Sequence, residues 1–218
     1  ASTGAAAVLL GGRTFHSFFG LGIMEGGAKA AFDRGLNDKK LMSRLRNVEG
    51  IIIDEISMIP GKAFLVAEAL SRASRESNLP WGGMRVIVVG DFLQLPPVTQ
   101  TGPRDWSFLT SVWKRSGFRT IELSHNQRVS DNHFLDVLSE IRKGRVNAAV
   151  QDFLNEHVRD HDESDKGTRL FARKNLADGF NERKLSEIDE DEIAIPTLYI
   201  GDERSISLLK KNSPVPEN

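Results

Sequence analysis

The sequence contains no cysteine, no long apolar run and almost no net charge. Without cysteine the chain forms neither disulfide bonds nor thiolate metal sites, and this composition suits a reducing compartment. No apolar run approaches the roughly 20 residues that a membrane-spanning helix needs, so no membrane partner is expected. The net charge of −1 lacks the strongly basic footprint of most nucleic-acid-binding domains, although a neutral protein can still carry a locally basic groove.

The composition that is present is that of a soluble globular protein. At 218 residues, with 39% hydrophobic and 27% charged residues, the chain can form one large domain or two small ones. Residues 1–7 lack the basic segment that begins a secretory signal. An intracellular location is therefore expected.

Two adjacent carboxylates follow a run of β-branched residues. Residues 51–53 are all isoleucine and predict a strand buried on both faces, as in a parallel sheet covered by helices. Asp54 and Glu55 then lie at the carboxyl end of that strand, where open α/β sheets bind their ligands. One carboxylate can hold Mg²⁺ while the other positions or deprotonates water. Taken alone, the pair is better explained as a solvated acidic turn, because two acids after a strand are common.

A second buried strand is predicted for residues 85–90. Gln94 follows it as a polar residue within an otherwise apolar tail. Because Gln94 also lies past the carboxyl end of a strand, it is placed to contact the same ligand as the two carboxylates. The alternative is that Gln94 only caps a loop that ends in two prolines.

The first residues place hydroxyls and a glycine before an apolar helical stretch at residues 5–10. Free N–H groups and the helix dipole make such a corner suitable for a phosphate, so Thr3 and Gly4 are candidate phosphate contacts. A plain N-cap explains the same residues and is locally the simpler interpretation.

Residues 12–22 interleave phenylalanines with threonine, histidine and serine between glycines. Such aromatic residues are able to stack on bases while the polar residues bond phosphates. Equally, the segment can be a core-facing turn with Phe15 and Phe18 packed inward. The residues alone favour neither interpretation.

Taken together, four segments resemble the petite-integration-frequency (PIF-type) DNA helicases, which are 5′→3′ motors of superfamily 1B related to RecD. The matching segments are residues 1–4 (Ala-Ser-Thr-Gly), 12–22, 54–58 (Asp-Glu-Ile-Ser-Met) and 90–98 (Gly-Asp-Phe-Leu-Gln-Leu-Pro-Pro-Val). The last two motifs are highly specific, and the order and spacing of the segments match the family. The likeness continues through residues 106–113 and 123–144 and, more faintly, 168–185.

The resemblance implies a nucleotide site for Mg²⁺ and ATP. Asp54 resembles the acid that holds Mg²⁺, and Glu55 the residue that activates water for attack on the γ-phosphate. Gln94 resembles the γ-phosphate sensor that couples the nucleotide state to the grip on DNA. Arg128 resembles an arginine that reaches the phosphates across a cleft. Both neighbours of Arg128 differ from the family's aromatic-Arg-Gln triplet, and a plain surface arginine is the alternative.

The resemblance also implies DNA contacts. The residues similar to those that hold single-stranded DNA are Thr3, Gly4, Thr14, Phe15, His16, Ser17, Pro97 and Val98. Residues 22–41 correspond to a small wedge subdomain that splits the duplex, although their sequence carries no pattern from which that role can be read. Single-stranded DNA and duplex junctions are the implied partners, and a monomer is expected.

The expected fold is α/β. Residues 1–118 are expected to form most of a RecA-like P-loop NTPase motor domain, and residues 119–218 the start of a second one, with the nucleotide in the cleft between them. In the second half, patterns predict strands at 120–123, 168–172 and 193–200. They also predict helices at about 134–141, after Asn147 and at 175–188, the first ending at Gly144.

The chain has no G-x-x-x-x-G-K-[ST] loop, whose N–H groups and lysine hold the β- and γ-phosphates in this family. It also stops before the segments that complete the second motor domain. We therefore expect an interior part of an ATP-dependent helicase that serves replication, repair, recombination and telomeres, and no activity from these residues alone. The alternatives are a non-catalytic DNA- or partner-binding remnant of such a helicase, or an unrelated Mg²⁺-dependent hydrolase built on Asp54 and Glu55.

Overall fold

The computed structural model describes residues 1–99, 102–158, 167–190, 193, 198–203 and 206–207. Its helices are α1 (Gly4–Leu9), α2 (Phe15–Phe18), α3 (Gly27–Asn37), α4 (Lys39–Asn47), α5 (Gly61–Ser74), α6 (Ser111–Ser116), α7 (Asn132–Arg142), α8 (Ala148–Glu156) and α9 (Lys174–Ser186), and its strands are β1 (Gly50–Ile53) and β2 (Arg85–Val88). Short 3₁₀ helices lie at Ile56–Met58, Pro80–Gly83 and Ser107–Leu109. None of the described helices is long and apolar enough to cross a membrane.

The chain divides into two compact units, Ala1–His157 and Val158–Asn218. The first unit contains both strands and helices α1 to α8, and the second contains α9. The predicted boundary between motor domains, at residues 118 and 119, falls inside the first unit and stays a prediction.

The two strands form a parallel pair in which Gly50 lies opposite Arg85 and Ile53 opposite Val88. Parallel neighbours need a crossover connection, and α5 supplies the helix of that connection. A strand, a crossover helix and a parallel strand make a βαβ unit, so the predicted α/β class is confirmed.

The prediction that β1 is buried on both faces is wrong for the described residues. Ile53 is 3% exposed, whereas Ile52 is 69% exposed. Successive side chains of a strand point to opposite faces, so Ile51 and Ile53 pack on the helices and Ile52 points away from them. Within the described part of the chain, helices therefore cover one face of the sheet.

The core forms around α5, which buries Phe64, Ala67 and Leu70 completely. Trp81 lies against this helix, with its ring 4.9 Å from that of Phe64, and also 6.2 Å from the ring of Phe19. Aromatic rings at these separations bury large apolar areas in favourable edge-on and tilted contacts. This packing gives the sheet a rigid support on its covered face.

Residues 36–46 span the junction of α3 and α4. Asp38 separates the two helices and caps the second, because its Oδ1 accepts hydrogen bonds from the N–H groups of Lys40 (2.9 Å) and Leu41 (3.0 Å). An aspartate that caps new N–H groups ends one helix and begins another. Leu41 and Leu45 of α4 are buried in the core.

The helices predicted in the second half are confirmed, and the strands are not. Asp131 caps α7, Asn147 caps α8, and Gly144 follows α7 with a positive φ of 72°. Residues 120–123 and 168–172 are not strands, since no described strand lies beside them to complete the hydrogen-bonded ladder. Half of the strand predicted at 193–200, residues 194–197, lies outside the described residues.

Candidate nucleotide and DNA site

The two carboxylates lie on a sharp turn at the carboxyl end of β1. Asp54 and Glu55 are both half-buried, and Glu55 has left-handed backbone angles, with φ of 54° and ψ of 48°. A residue other than glycine rarely adopts this conformation, and functional sites are enriched in such strained residues. The turn leads directly into the 3₁₀ helix at Ile56–Met58, whose first residue is buried.

Hydrogen bonds tie this turn to the segment that follows β2. The N–H of Val89 donates to the carbonyl of Ile53 (2.8 Å), and the N–H of Ile56 donates to the carbonyl of Val89 (3.0 Å). The ends of the two strands therefore lie side by side, as predicted from their sequence. This edge is where an α/β sheet binds its ligand.

Gly90 makes the close approach of the two segments possible. Its φ is 154°, and a Cβ at this position would lie 2.9 Å from the backbone nitrogen of Ile56 and 3.5 Å from the carbonyl carbon of Glu55. A side chain here would push the carboxylate turn away from the Gln94 loop. Gly90 was not predicted to have a role of its own, although a glycine after a buried strand is a signal of close backbone approach.

Gln94 lies in a compact loop organised by Asp91. The Asp91 Oδ1 accepts a hydrogen bond from the N–H of Leu93 (3.0 Å), and its carbonyl accepts one from the N–H of Gln94 (3.0 Å). The side-chain Nε2 of Gln94 also donates to Asp91 Oδ2 (3.1 Å). Gln94 is exposed and thus accessible to a ligand at the sheet edge.

An aromatic cluster fixes the same loop to the body of the first unit. The ring of Phe92 lies 4.8 Å from that of Phe108, 5.6 Å from that of Trp113 and 6.0 Å from that of Trp106, each in an edge-on arrangement. Such contacts anchor the loop through the side chain of Phe92.

Asp91 forms an ion pair with Arg142, the last residue of α7. The hydrogen bond from this guanidinium lowers the pKa of Asp91 to about 2, with smaller contributions in the same direction from Leu93 and Gln94. Asp91 is therefore ionised at neutral pH. Their pairing was not predicted from the sequence, because 51 positions separate the two residues.

The sequence-predicted Arg128 lies in an exposed turn. The Oδ1 of Asn126 accepts hydrogen bonds from the N–H groups of Arg128 (2.8 Å) and Val129 (3.0 Å). The Asn126 side chain fixes the backbone of the turn, and the guanidinium of Arg128 is exposed to solvent. The role of Arg128 at the ATP phosphates stays a prediction.

The two predicted DNA-binding segments lie next to each other. The N-terminal amine of Ala1 donates to the carbonyl of Arg13 (3.1 Å), and the N–H of Phe15 donates to the carbonyl of Ala1 (2.8 Å). The hydroxyl of Ser2 contacts the sulfur of Met58 (3.4 Å), in the 3₁₀ helix that follows the carboxylate turn. Both segments are thus positioned close to that turn.

Thr3 and Thr14 are the N-caps of α1 and α2, and for Thr3 this is what the simpler interpretation predicted. Thr3 Oγ1 accepts a hydrogen bond from the N–H of Ala6 (3.3 Å), and Thr14 Oγ1 accepts one from the N–H of Ser17 (3.2 Å). Thr3, Gly4 and Ser17 are exposed. Their contacts to DNA stay predictions.

Phe15 faces the core, as the second interpretation of residues 12–22 predicted. It is 3% exposed, and its ring lies 4.8 Å from that of Phe19, so the ring is unable to stack on a base.

His16 is half-buried, and burial lowers its pKa, so its imidazole is neutral at neutral pH. Pro97 is buried, whereas Val98 is 84% exposed.

The carboxylate turn fits a magnesium ion of the kind that accompanies ATP. No cluster of three or more potential metal ligands occurs in the described ranges, so these residues form no cage that encloses a metal by itself. Mg²⁺ commonly takes one or two carboxylates and completes its coordination with water and substrate phosphates. A half-buried Asp54 at the sheet edge suits that arrangement.

Comparison with known proteins agrees with this geometry. A family model described as PIF1-like helicase matches residues 1–152. The ATP-dependent DNA helicase Pif1 of Bdellovibrio bacteriovorus is 71% identical over 217 residues, which are 100% of this chain and 49% of that protein.

Two solved structures share the fold. The crystal structure of Pif1 helicase from Candida albicans has a TM-score of 0.82 at 32% identity, covering 99% of this chain and 50% of that one. The structure of Pif1 helicase from Bacteroides in complex with ADP-AlF3 and ssDNA has a TM-score of 0.69 at 28% identity, covering 88% of this chain and 47% of that one.

The fold and the sheet-edge motifs define an α/β chain of the kind found in the RecA-like domains of Pif1 helicases. The chain belongs to the PIF1-like helicase family, and the resemblance found in the sequence is confirmed. It spans about half the length of the Bdellovibrio helicase, since it covers 49% of that protein.

Proposed function

We propose that this chain is part of an ATP-dependent 5′→3′ DNA helicase, which couples hydrolysis of Mg-ATP to movement along single-stranded DNA and to duplex unwinding. The observation that carries the proposal is the shared sheet edge. There the Ile56 to Val89 hydrogen bond and the close approach of Gly90 hold the carboxylate turn beside the Gln94 loop. The Bdellovibrio relative is named an ATP-dependent DNA helicase, which supports this assignment.

The proposed chemistry divides the two carboxylates. Asp54 holds Mg²⁺, which neutralises charge on the phosphates when ATP is bound. Glu55 orients the attacking water and accepts its proton. The two acids are neighbours on the turn, and the left-handed backbone of Glu55 forms the bend at which they meet the sheet edge.

Gln94 and Arg128 are proposed to contact the γ-phosphate from the other side. An amide N–H of Gln94 donates to a phosphate oxygen and reports whether the phosphate is present. The guanidinium of Arg128 offsets the charge that develops during phosphoryl transfer. Because residues 1–218 contain no glycine-rich lysine loop, these side chains act on a phosphate that another part of the protein must hold.

Single-stranded DNA is proposed to lie along residues 3–4 and 14–17 and to reach the exposed Val98. The Bacteroides relative was solved with ssDNA, which supports this class of partner. Contacts through backbone N–H groups and hydroxyls bind phosphates rather than base edges, so little sequence preference is expected. Further parts of the proposal are action at duplex junctions through residues 22–41, a monomeric state, and a role inside the cell in genome maintenance.

The proposal is tested in the full-length protein that contains residues 1–218. Glu55→Gln keeps the size of the side chain and removes the base, so ATP turnover and strand displacement should fall by about 10²–10⁴-fold while ATP still binds. Glu49→Gln is the matched control, since this exposed residue lies just before β1 at the opposite end of the strand. Normal hydrolysis by the Glu55 variant would rule the assignment out.

The second candidate is a non-catalytic DNA- or partner-binding remnant, which a full-length protein without a glycine-rich lysine loop would favour. The same experiment separates the two. A remnant would bind single-stranded DNA, hydrolyse no ATP in its full-length form, and be unaffected by Glu55→Gln.

A further inference from the structure

The Asp91 carboxylate bridges two distant parts of the chain. Its Oδ2 accepts hydrogen bonds from the Nε2 of Gln94 (3.1 Å) and from the guanidinium of Arg142. Gln94 belongs to the loop after β2, whereas Arg142 ends α7. One oxygen atom thus connects the predicted phosphate sensor to a helix of the predicted second motor domain.

The ion pair is partly shielded from solvent. The Asp91 side chain is 22% exposed and that of Arg142 is 52% exposed. A charge-assisted hydrogen bond of this kind is stronger than one between neutral groups. The cation also lies at the carboxyl end of a helix, where the helix dipole favours it.

The bridge fixes the orientation of the Gln94 amide. A glutamine side chain carries two donors on its nitrogen and two acceptor sites on its oxygen, and it can rotate to exchange them. Because an ionised carboxylate only accepts hydrogen bonds, the nitrogen must face Asp91. The second N–H is then left to donate to a phosphate.

The loop does not need the ion pair for its fold. Phe92 already anchors it through the aromatic cluster with Trp106, Phe108 and Trp113. The Asp91 turn has its own backbone bond from Gln94 to the Asp91 carbonyl. What Arg142 adds is therefore a restraint on the side chains of Asp91 and Gln94.

We propose that Asp91 and Arg142 are positioning residues for Gln94, which make the orientation of its amide depend on the position of α7. This inference rests on the proposed function of Gln94 at the γ-phosphate. A displacement of α7 away from β2 breaks the Arg142 contact or pulls Asp91 with it. The amide of Gln94 then loses its fixed direction, and catalysis is slowed although every catalytic side chain is present.

The test uses ATP turnover by the full-length protein with saturating single-stranded DNA. Arg142→Gln removes the cation from a half-exposed site and should lower kcat by about fivefold, as expected for one lost hydrogen bond, with the KM for ATP nearly unchanged. Arg142→Lys keeps the charge and should restore part of the rate. Lys143→Gln is the matched control, since Lys143 is the next residue and pairs with Glu140 (3.0 Å) instead. It should leave kcat unchanged.

A double-mutant cycle with Gln94→Ala distinguishes positioning from a general structural effect. If Arg142 acts through Gln94, Arg142→Gln should have no further effect on kcat in a protein that already carries Gln94→Ala. Additive losses in the double variant would overturn the inference, as would normal turnover by Arg142→Gln. Asp91→Asn should behave like Arg142→Gln; if it fails to fold, the exposed Arg142 still decides the question.

The cycle also separates this inference from the proposed function. Slow turnover by Gln94→Ala together with normal turnover by Arg142→Gln would leave the sensor role standing and remove only the role of the ion pair. Normal turnover by Gln94→Ala would remove the sensor role and this inference with it.

Discussion

Gly90 lies directly against the backbone amide of Ile56, at a distance that leaves no room for a side chain. A Cβ on residue 90 would lie 2.9 Å from this nitrogen, and the φ of 154° disfavours any residue other than glycine. The contact joins the two strand ends that carry the carboxylates and Gln94. The position of the candidate site thus depends on one residue without a side chain.

We predict that Gly90→Ala lowers the free energy of unfolding by about 1–3 kcal/mol, the usual cost of one strained backbone residue. The measurement is urea denaturation monitored by tryptophan fluorescence. Gly179→Ala is the control, because Gly179 lies inside α9 with nothing within 4 Å of an added Cβ. There the same substitution should be neutral or stabilising, by up to about 1 kcal/mol. Equal stability of both variants would contradict the close approach at Gly90.

Asp54→Asn should separate metal binding from proton transfer. The amide keeps the shape of the side chain and loses the charge that attracts Mg²⁺. The Mg²⁺ concentration for half-maximal ATP hydrolysis should rise by at least on the order of tenfold, since even outer-shell partners of metal ligands cost that much when replaced. A normal Mg²⁺ dependence with reduced kcat would instead assign Asp54 to the chemical step.

Replacing both His16 and Ser17 by alanine should weaken single-stranded DNA binding by roughly tenfold, which corresponds to about 1.4 kcal/mol. Fluorescence anisotropy with two unrelated oligonucleotides measures the effect, which should be the same for both because phosphate contacts carry no sequence information. Ser43→Ala, at an exposed position on α4, serves as the control. Unchanged DNA binding with a lower melting temperature would mean that residues 14–17 are only a core-facing turn.

The Asp91–Arg142 pair predicts a pH-dependent part of stability. The pKa of Asp91 is about 2 in the folded protein and near its ordinary value in the unfolded chain, so the unfolded state binds the proton first as pH falls. The stabilisation is complete above about pH 5 and is lost progressively toward about pH 2. Since Arg142 is half exposed, solvent screening limits the stabilisation from this pair to about 1 kcal/mol.

Urea denaturation of the wild type and of Arg142→Gln at several pH values measures the stabilisation that the Asp91–Arg142 pair contributes. The difference in stability between the two proteins should be largest near neutral pH and should close in acid. A difference that is constant with pH would show that Asp91 does not titrate against Arg142.

Residues 1–218 by themselves should hydrolyse no ATP. Asp54, Glu55, Gln94 and Arg128 address a γ-phosphate, and the glycine-rich lysine loop that would hold it does not occur in this sequence. Steady-state hydrolysis by the purified chain with Mg²⁺ and single-stranded DNA is the measurement, and Glu55→Gln reports contamination. Turnover that disappears in the Glu55 variant would mean that another part of the chain replaces the loop.

The sequence by itself determined most of the helices, the first two strands and the family. The isoleucine run, the caps at Thr3 and Asn147 and the spacing of α7 depend only on neighbours within a few residues, so their patterns are visible without a structure. The family and the carboxylate pair were likewise visible, since specific motifs occurred in the right order.

The tertiary structure alone decided what lies beside these elements. That Ile52 is exposed, that Phe15 is buried and that Gly90 contacts Ile56 follow from how β1, β2 and the helices pack, and local patterns alone do not decide these outcomes. The Arg142 contact to Asp91 spans 51 positions and exists only because α7 ends near the loop after β2. Local hydrogen bonds and periodicity act over one or two turns of chain, whereas burial and ion pairing depend on which distant segments the fold brings together.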